Sequence, residues 1–150
     1  MKKSMLWSVS LLAMSSFAQE SRTPKQPATL RSILLMELRE THKQKNWFVS
    51  EKEAVAGLTP EQAAWSDGKN HSVGQLVQHM ISWNSFNLAY FKGEHSPGPG
   101  NNDNTFKYEA QQWEATKKQS DNVMEEWEHI VENADDATLV KIAHISEHNA

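Results

Sequence analysis

From Thr29 onward, apolar side chains recur at steps of three and four residues. No stretch alternates with period two for long enough to make a strand, so the chain reads as helical throughout. Leu30, Leu34, Leu38, Thr41, Phe48 and Val55 form the first stripe, with Ile33, Leu35 and Trp47 beside it. They predict one long helix over 29–56, bent near Val49 and Ser50 and closed by Gly57 as a C-cap. Thr59 can then cap a short turn with Pro60 at its first position. Residues 66–71 are polar with a glycine, hence a loop. A second stripe of Val73, Leu76, Val77, Met80, Ile81, Trp83, Asn84, Leu88 and Phe91 predicts a helix over 72–91.

Pro97, Gly98, Pro99 and Gly100, together with the Asn/Asp run 101–104, exclude helix and strand over 93–104. At roughly a dozen residues this connection exceeds an ordinary helix-to-helix turn, so it can cross the end of a bundle rather than reverse the chain. Phe106, Ala110, Trp113, Ser120, Met124, Trp127 and Val131 predict the third helix. Residues 133–136 break it, and Asp135 or Asp136 caps a fourth that carries Leu139, Ile142, Ala143 and Ser146. The fold class is therefore all-α, a four-helix bundle with a crossover between helices two and three. Trp83, Trp113 and Trp127 fall on the apolar stripes and are expected to pack in its core; Trp47 and Trp65 have no such assignment. The last helix runs into His148, Asn149 and Ala150 with no glycine cap, basic last turn or breaker. It reads as a truncated helix.

The first 18 residues follow a different pattern. Lys2 and Lys3 precede an almost uncharged run, Met5 to Phe17, and Ser16-Phe17-Ala18 supplies small residues at the −3 and −1 positions of a cleavage site. That is the three-part pattern of a secretory signal, too short to span a bilayer comfortably; the competing reading is an N-terminal core helix or a retained anchor. Residues 19–28 then read as a disordered lead-in and 29–150 as one helical domain. The expected destination is the periplasm or the exterior, with no membrane insertion after processing. Removing the signal leaves 13 basic against 19 acidic residues, a formal charge of −6, which argues against nucleic acid or anionic lipid as the main partner. The chain has no cysteine, which excludes disulfides, thiolate ligands, a cysteine nucleophile and lipid attachment at a cysteine.

Chemistry falls to seven histidines and the carboxylates. His42, His71, His95 and His129 lie on polar faces or in loops and read as surface residues. His79 lies mid-helix between Leu76 and Trp83, where it is at least partly buried; without other information, a core histidine bonded to a neighbouring helix is the commoner case. His144 and His148 are spaced i, i+4, which puts both imidazoles on one helix face where they can share a divalent metal. On spacing alone, the 144/148 pair is the better metal candidate. A histidine on helix two and a pair on helix four would make a three-histidine site with positions open to water or substrate. No Gly-rich phosphate loop, nucleophile elbow, His-Glu-x-x-His or EF-hand loop is present.

Read in order, the runs 47–49, Gly57-Leu58-Thr59-Pro60-Glu61-Gln62-Ala63-Ala64-Trp65, His71 to Met80 and Trp83-Asn84 resemble the first half of DinB-like proteins. Asn102-Asp103-Asn104-Thr105-Phe106 is similar to the segment leading into that family's third helix, and 145–150 to the opening of its last motif. The resemblance implies an up-down-down-up bundle and three histidine ligands for zinc, nickel or a similar divalent ion. One ligand falls on His79 and the second on His148. The third would come four residues later, beyond residue 150, and His144 becomes a neighbour rather than a ligand. The activities it implies are those of a metal-dependent hydrolase or a thiol S-transferase acting on a small molecule, and relatives pair as homodimers. The alternative is a non-catalytic helical-bundle module without metal.

Overall fold

A computed structural model describes residues 28–95 and 97–144; the expected signal over 1–18, nearly all of the lead-in 19–28 and the expected ligand His148 lie outside the described residues. The described chain is helical, with no strand among the described residues. Helix α1 spans Leu30–His42 and starts on a capping box in which Thr29 and Ser32 satisfy each other's backbone. The single helix expected over 29–56 is instead two. Backbone N–H groups of Lys43 and Gln44 both turn back to the Arg39 carbonyl, and the Asn46 side chain accepts from Trp47 N at 2.7 Å. Ser50, 1 % exposed, then caps the short helix α2, Glu51–Ala54. Local polar side chains take over the backbone partners that a continuous helix would need, and the chain breaks there.

The starts of α3, α4 and α6 follow the sequence closely, while α5 starts later than expected. Gly57 adopts the left-handed φ of 76° just past α2. Thr59 and Gln62 form a capping box at α3, Pro60–Ala64, with Pro60 at its first position. Ser72 and Gln75 do the same for α4, Val73–Phe91. Helix α5 spans Trp113–Asn133, and α6 spans Asp136–His144 with the Asp135 carboxylate accepting from Thr138 N at 2.8 Å. No helix among the described residues is long and apolar enough to cross a membrane.

Helix α5 packs along both α4 and α1. It runs parallel to α4: Trp113, at its start, joins Val77 and Ile81 in one buried cluster, and near the far ends the Phe91 and Trp127 rings lie 5.9 Å apart. It runs antiparallel to α1, because Arg31 reaches the Ala134 carbonyl while His42 reaches Asp121. The core holds Val55, Ala63, Val77, Ile81 and Trp113, with Leu58 and Tyr108 packed against it.

Two parallel neighbours need a connection that travels the length of the pair. Residues 97–112 make that return along α4 itself, not across the end of the helices. Gly98 lies against Phe86, Asn102 bonds Trp83, Thr105 bonds His79, and Tyr108 covers Gly74. A Cβ on Gly74 would stand 2.3 Å from the Tyr108 ring, so only glycine lets this strap sit flat on the helix. The strap contains two 3-10 turns, Asn102–Phe106 and Ala110–Gln112. Phe106 and Ala110, expected in the third helix, belong to it. Their three- and four-residue spacing continued the stripe of α5 without continuing its backbone.

Candidate functional site

His79 sits on α4 beneath the strap. Its Nδ1 lies 2.6 Å from the Thr105 hydroxyl, which is 2 % exposed, and that hydroxyl in turn lies 2.5 Å from the Asn102 carbonyl. The Phe106 ring stacks on His79 at 4.2 Å and 5°, and His71 stacks on Phe106 at 3.8 Å and 3°. The turn that carries Thr105 and Phe106 is itself fixed. Asn101 caps it by accepting from Asp103 N at 3.0 Å, and Trp83, one helical turn beyond His79, donates its indole N–H to Asn102 Oδ1 at 3.2 Å. The imidazole is thus held on its flat side by Phe106 and at one nitrogen by Thr105. Nε2 takes up no hydrogen bond from the described residues. A divalent metal needs such a nitrogen from histidine, the other being tied by its neighbours.

The other expected ligand, His148, lies outside the described residues, and His144 closes α6. Among the described residues no three of His, Cys, Asp or Glu come together as a metal-holding group. His71 is exposed at the outer face of the ring stack, and His95 and His129 are exposed, as the sequence suggested. Trp113 and Trp127 are buried as expected, Trp83 is half-buried, and Trp47 and Trp65 stand 89 % and 71 % exposed, away from the core.

His42 is the correction. Expected at the surface, it is 2 % exposed, with Nε2 donating to Asp121 Oδ1 at 2.9 Å and Nδ1 3.9 Å from Glu128 Oε1. The signal was in the sequence, since His42 continues Leu34 and Leu38 by a further step of four. Around it Arg39 and Lys43 on the α1 side hold Glu128 at 3.0 and 2.9 Å, and Lys52 holds Asp121 at 3.0 Å. Burial pushes the Glu128 carboxyl up, but hydrogen bonds and charge from Lys43 and Arg39 outweigh it and leave it below its ordinary range. Asp121 is held low in the same way, its burial outweighed by Lys52 and His42.

A depression of about 340 Å³ opens beside this network, with His42, Lys52 and Asp121 on its wall. Most of its polar groups are already paired with one another. Lys52 and His42 are committed to Asp121, Glu51 accepts from Ser120 at 2.6 Å, and Lys117 pairs with Glu114 at 2.8 Å. His42 spends Nε2 on Asp121, and its Nδ1 is buried 3.9 Å from Glu128 Oε1 with no hydrogen-bond partner among the described residues, so the network serves as a clamp between α1, α2 and α5.

No curated protein and no solved structure matches the chain. A family profile described as the DinB superfamily matches residues 52–148. The match takes in α3, α4, the whole strap and α5, with His79, Thr105 and Phe106 inside it. Extending over more than half of the chain, it places this protein in the DinB superfamily.

Proposed function

We propose that this chain is a divalent-metal-binding member of the DinB superfamily, with His79 as one ligand and His148 as a second. The observation that carries the reading is the state of His79. It is half-buried in mid-helix, stacked by Phe106, tied at Nδ1 by Thr105 and without a partner among the described residues at Nε2. A histidine kept only for packing has no need of a second group to fix its ring and leave one nitrogen over. Zinc or nickel suits imidazole donors, and such an ion when bound supplies Lewis acidity toward a water or a thiol. Hydrolysis or thiol transfer on a small molecule is the class of reaction that chemistry serves. His79 would orient the donor, and Phe106 would keep bulk water from its face.

The reading includes a four-helix bundle in up-down-down-up order. The parallel α4–α5 pair, the antiparallel α1 and the turn into α6 at Asp135 support it. Val73, Leu76 and Met80 flank His79 on α4 and are 38 %, 47 % and 38 % exposed, the apolar surface that a neighbouring helix bearing His148 would cover. The reading also carries the export of a chain processed after residue 18 to the periplasm or exterior, and a homodimer. The rival reading, a non-catalytic module without metal, draws on the lack of a three-donor group among the described residues.

The test compares His79→Ala with His129→Ala, the latter removing an exposed imidazole on α5. After loading with zinc and dialysis, elemental analysis should find stoichiometric metal in the wild type and His129→Ala, and little in His79→Ala. Far-ultraviolet circular dichroism should stay the same in all three. Equal metal in both variants removes His79 from the site.

A further inference from the structure

The hydrogen-bond chain from His79 to Asn102 has only one consistent arrangement of protons. A threonine hydroxyl owns a single hydrogen. The Asn102 carbonyl can only accept, and the Thr105 oxygen lies 2.5 Å from it, so that hydrogen must stand between the two oxygens. Two oxygens with no proton between them would repel at this distance. The hydroxyl therefore has nothing left to donate to the ring 2.6 Å away, and the proton in that contact belongs to His79 Nδ1. Thr105 is 2 % exposed, so exchange of either partner for water is unfavourable.

We infer that Thr105 is the positioning residue that fixes His79 as its Nδ1–H tautomer and so presents the Nε2 lone pair to an electrophile. The hydrogen bond at one ring nitrogen decides which form of a neutral imidazole is present. Two features of the strap serve the same end. Asn101 and Trp83 hold the turn Asn102–Phe106 against α4, which aims the Asn102 carbonyl at the hydroxyl. Phe106, between His71 and His79, keeps the ring from rotating away. Thr105 touches no substrate in this account and acts only through His79. The inference extends the metal-ligand reading of His79 but concerns the metal-free protein, where it can be read directly.

Long-range proton–nitrogen correlation on nitrogen-15-labelled, metal-free protein in mildly alkaline buffer reports the tautomer of each imidazole, with His79→Ala giving the assignment. The expected result is a proton on Nδ1 of His79. In Thr105→Val, which keeps the shape and removes the hydroxyl, the Nδ1–H form should cease to dominate, and zinc affinity should fall about 10–100-fold. Thr105→Ser should restore both. A native protein with the proton on Nε2, or a Thr105→Val variant with an unchanged tautomer, overturns the inference. If Thr105→Val fails to fold, the wild type and Thr105→Ser decide it. Nδ1–H in both supports the inference, and Nε2–H in either refutes it. A protein that shows the Nδ1–H form yet binds no zinc supports the role of Thr105 and sinks the metal reading of His79, so the two failures are distinct.

Discussion

Trp113→Ala is expected to lower stability by about 3–5 kcal/mol, much of what a domain of this size has to spare. Trp113 is fully buried at the start of α5, where the end of the strap, α4 and the α2–α3 connection meet. Its ring packs in one cluster with Val55, Ala63, Val77 and Ile81, and stands edge-on to Tyr108 at 6.1 Å. A tryptophan removes roughly 150–250 Å² from water, which at about 25 cal/mol per Å² gives a loss of the same order before any cavity term. The indole N–H also donates to the Leu58 carbonyl at 2.9 Å, tying α5 to the turn before α3. Trp113→Phe should therefore cost less, about 1–3 kcal/mol, mostly through the abandoned carbonyl. Urea unfolding followed by circular dichroism ranks the three proteins, and alanine and phenylalanine variants of equal stability would mean that ring burial contributes little.

Glu128→Ala is expected to cost about 2–4 kcal/mol, below the upper range for broken buried ion pairs because Arg39 and Lys43 still reach solvent. The carboxylate has a side chain only 10 % exposed, and it faces Arg39, Lys43 and Nδ1 of His42. Nothing in the variant replaces it beside a ring that is itself 2 % exposed. The pH dependence carries the same signature. Glu128 and Asp121 are both held below their ordinary range, so each contributes stability that is present above the unfolded carboxylate pKa of about 4 and lost as pH falls through the lower folded values. The wild type should lose stability on acidification through that window. Glu128→Ala, without one of the two groups, should show a shallower fall, and parallel pH profiles would mean that Glu128 is not held in this way.

Helix starts were legible wherever a local pair encodes them. Thr59 with Gln62 and Ser72 with Gln75 are capping boxes, and Asp135 caps α6, because each needs only residues within one turn. The break after His42 was not legible as a break. It depends on Asn46 and Ser50 taking backbone bonds that the apolar spacing could equally have left to a helix. Similarly, Phe106 and Ala110 lie in phase with α5, and only the docking of the strap on Gly74 shows that they precede it. His79 stood out by its apolar neighbours and by resemblance to the DinB-like pattern. Thr105 could not, since its role rests on an approach across 26 positions of chain. His42 continued the α1 stripe by four, but its surface assignment followed residue type, and its carboxylate partners, Asp121 and Glu128, lie far along the chain on α5.

The central claim is that His79 is a metal ligand, and thermal unfolding with and without zinc tests it most directly. A ligand that binds only the folded state at about 100 times its Kd stabilises by roughly 2.7 kcal/mol, a shift of several degrees for a domain of this size. The account predicts that zinc raises the melting temperature of the wild type, and that His79→Ala has a similar metal-free melting temperature with no zinc response. A wild-type melting curve indifferent to zinc and nickel, or an equal rise in His79→Ala, would contradict it.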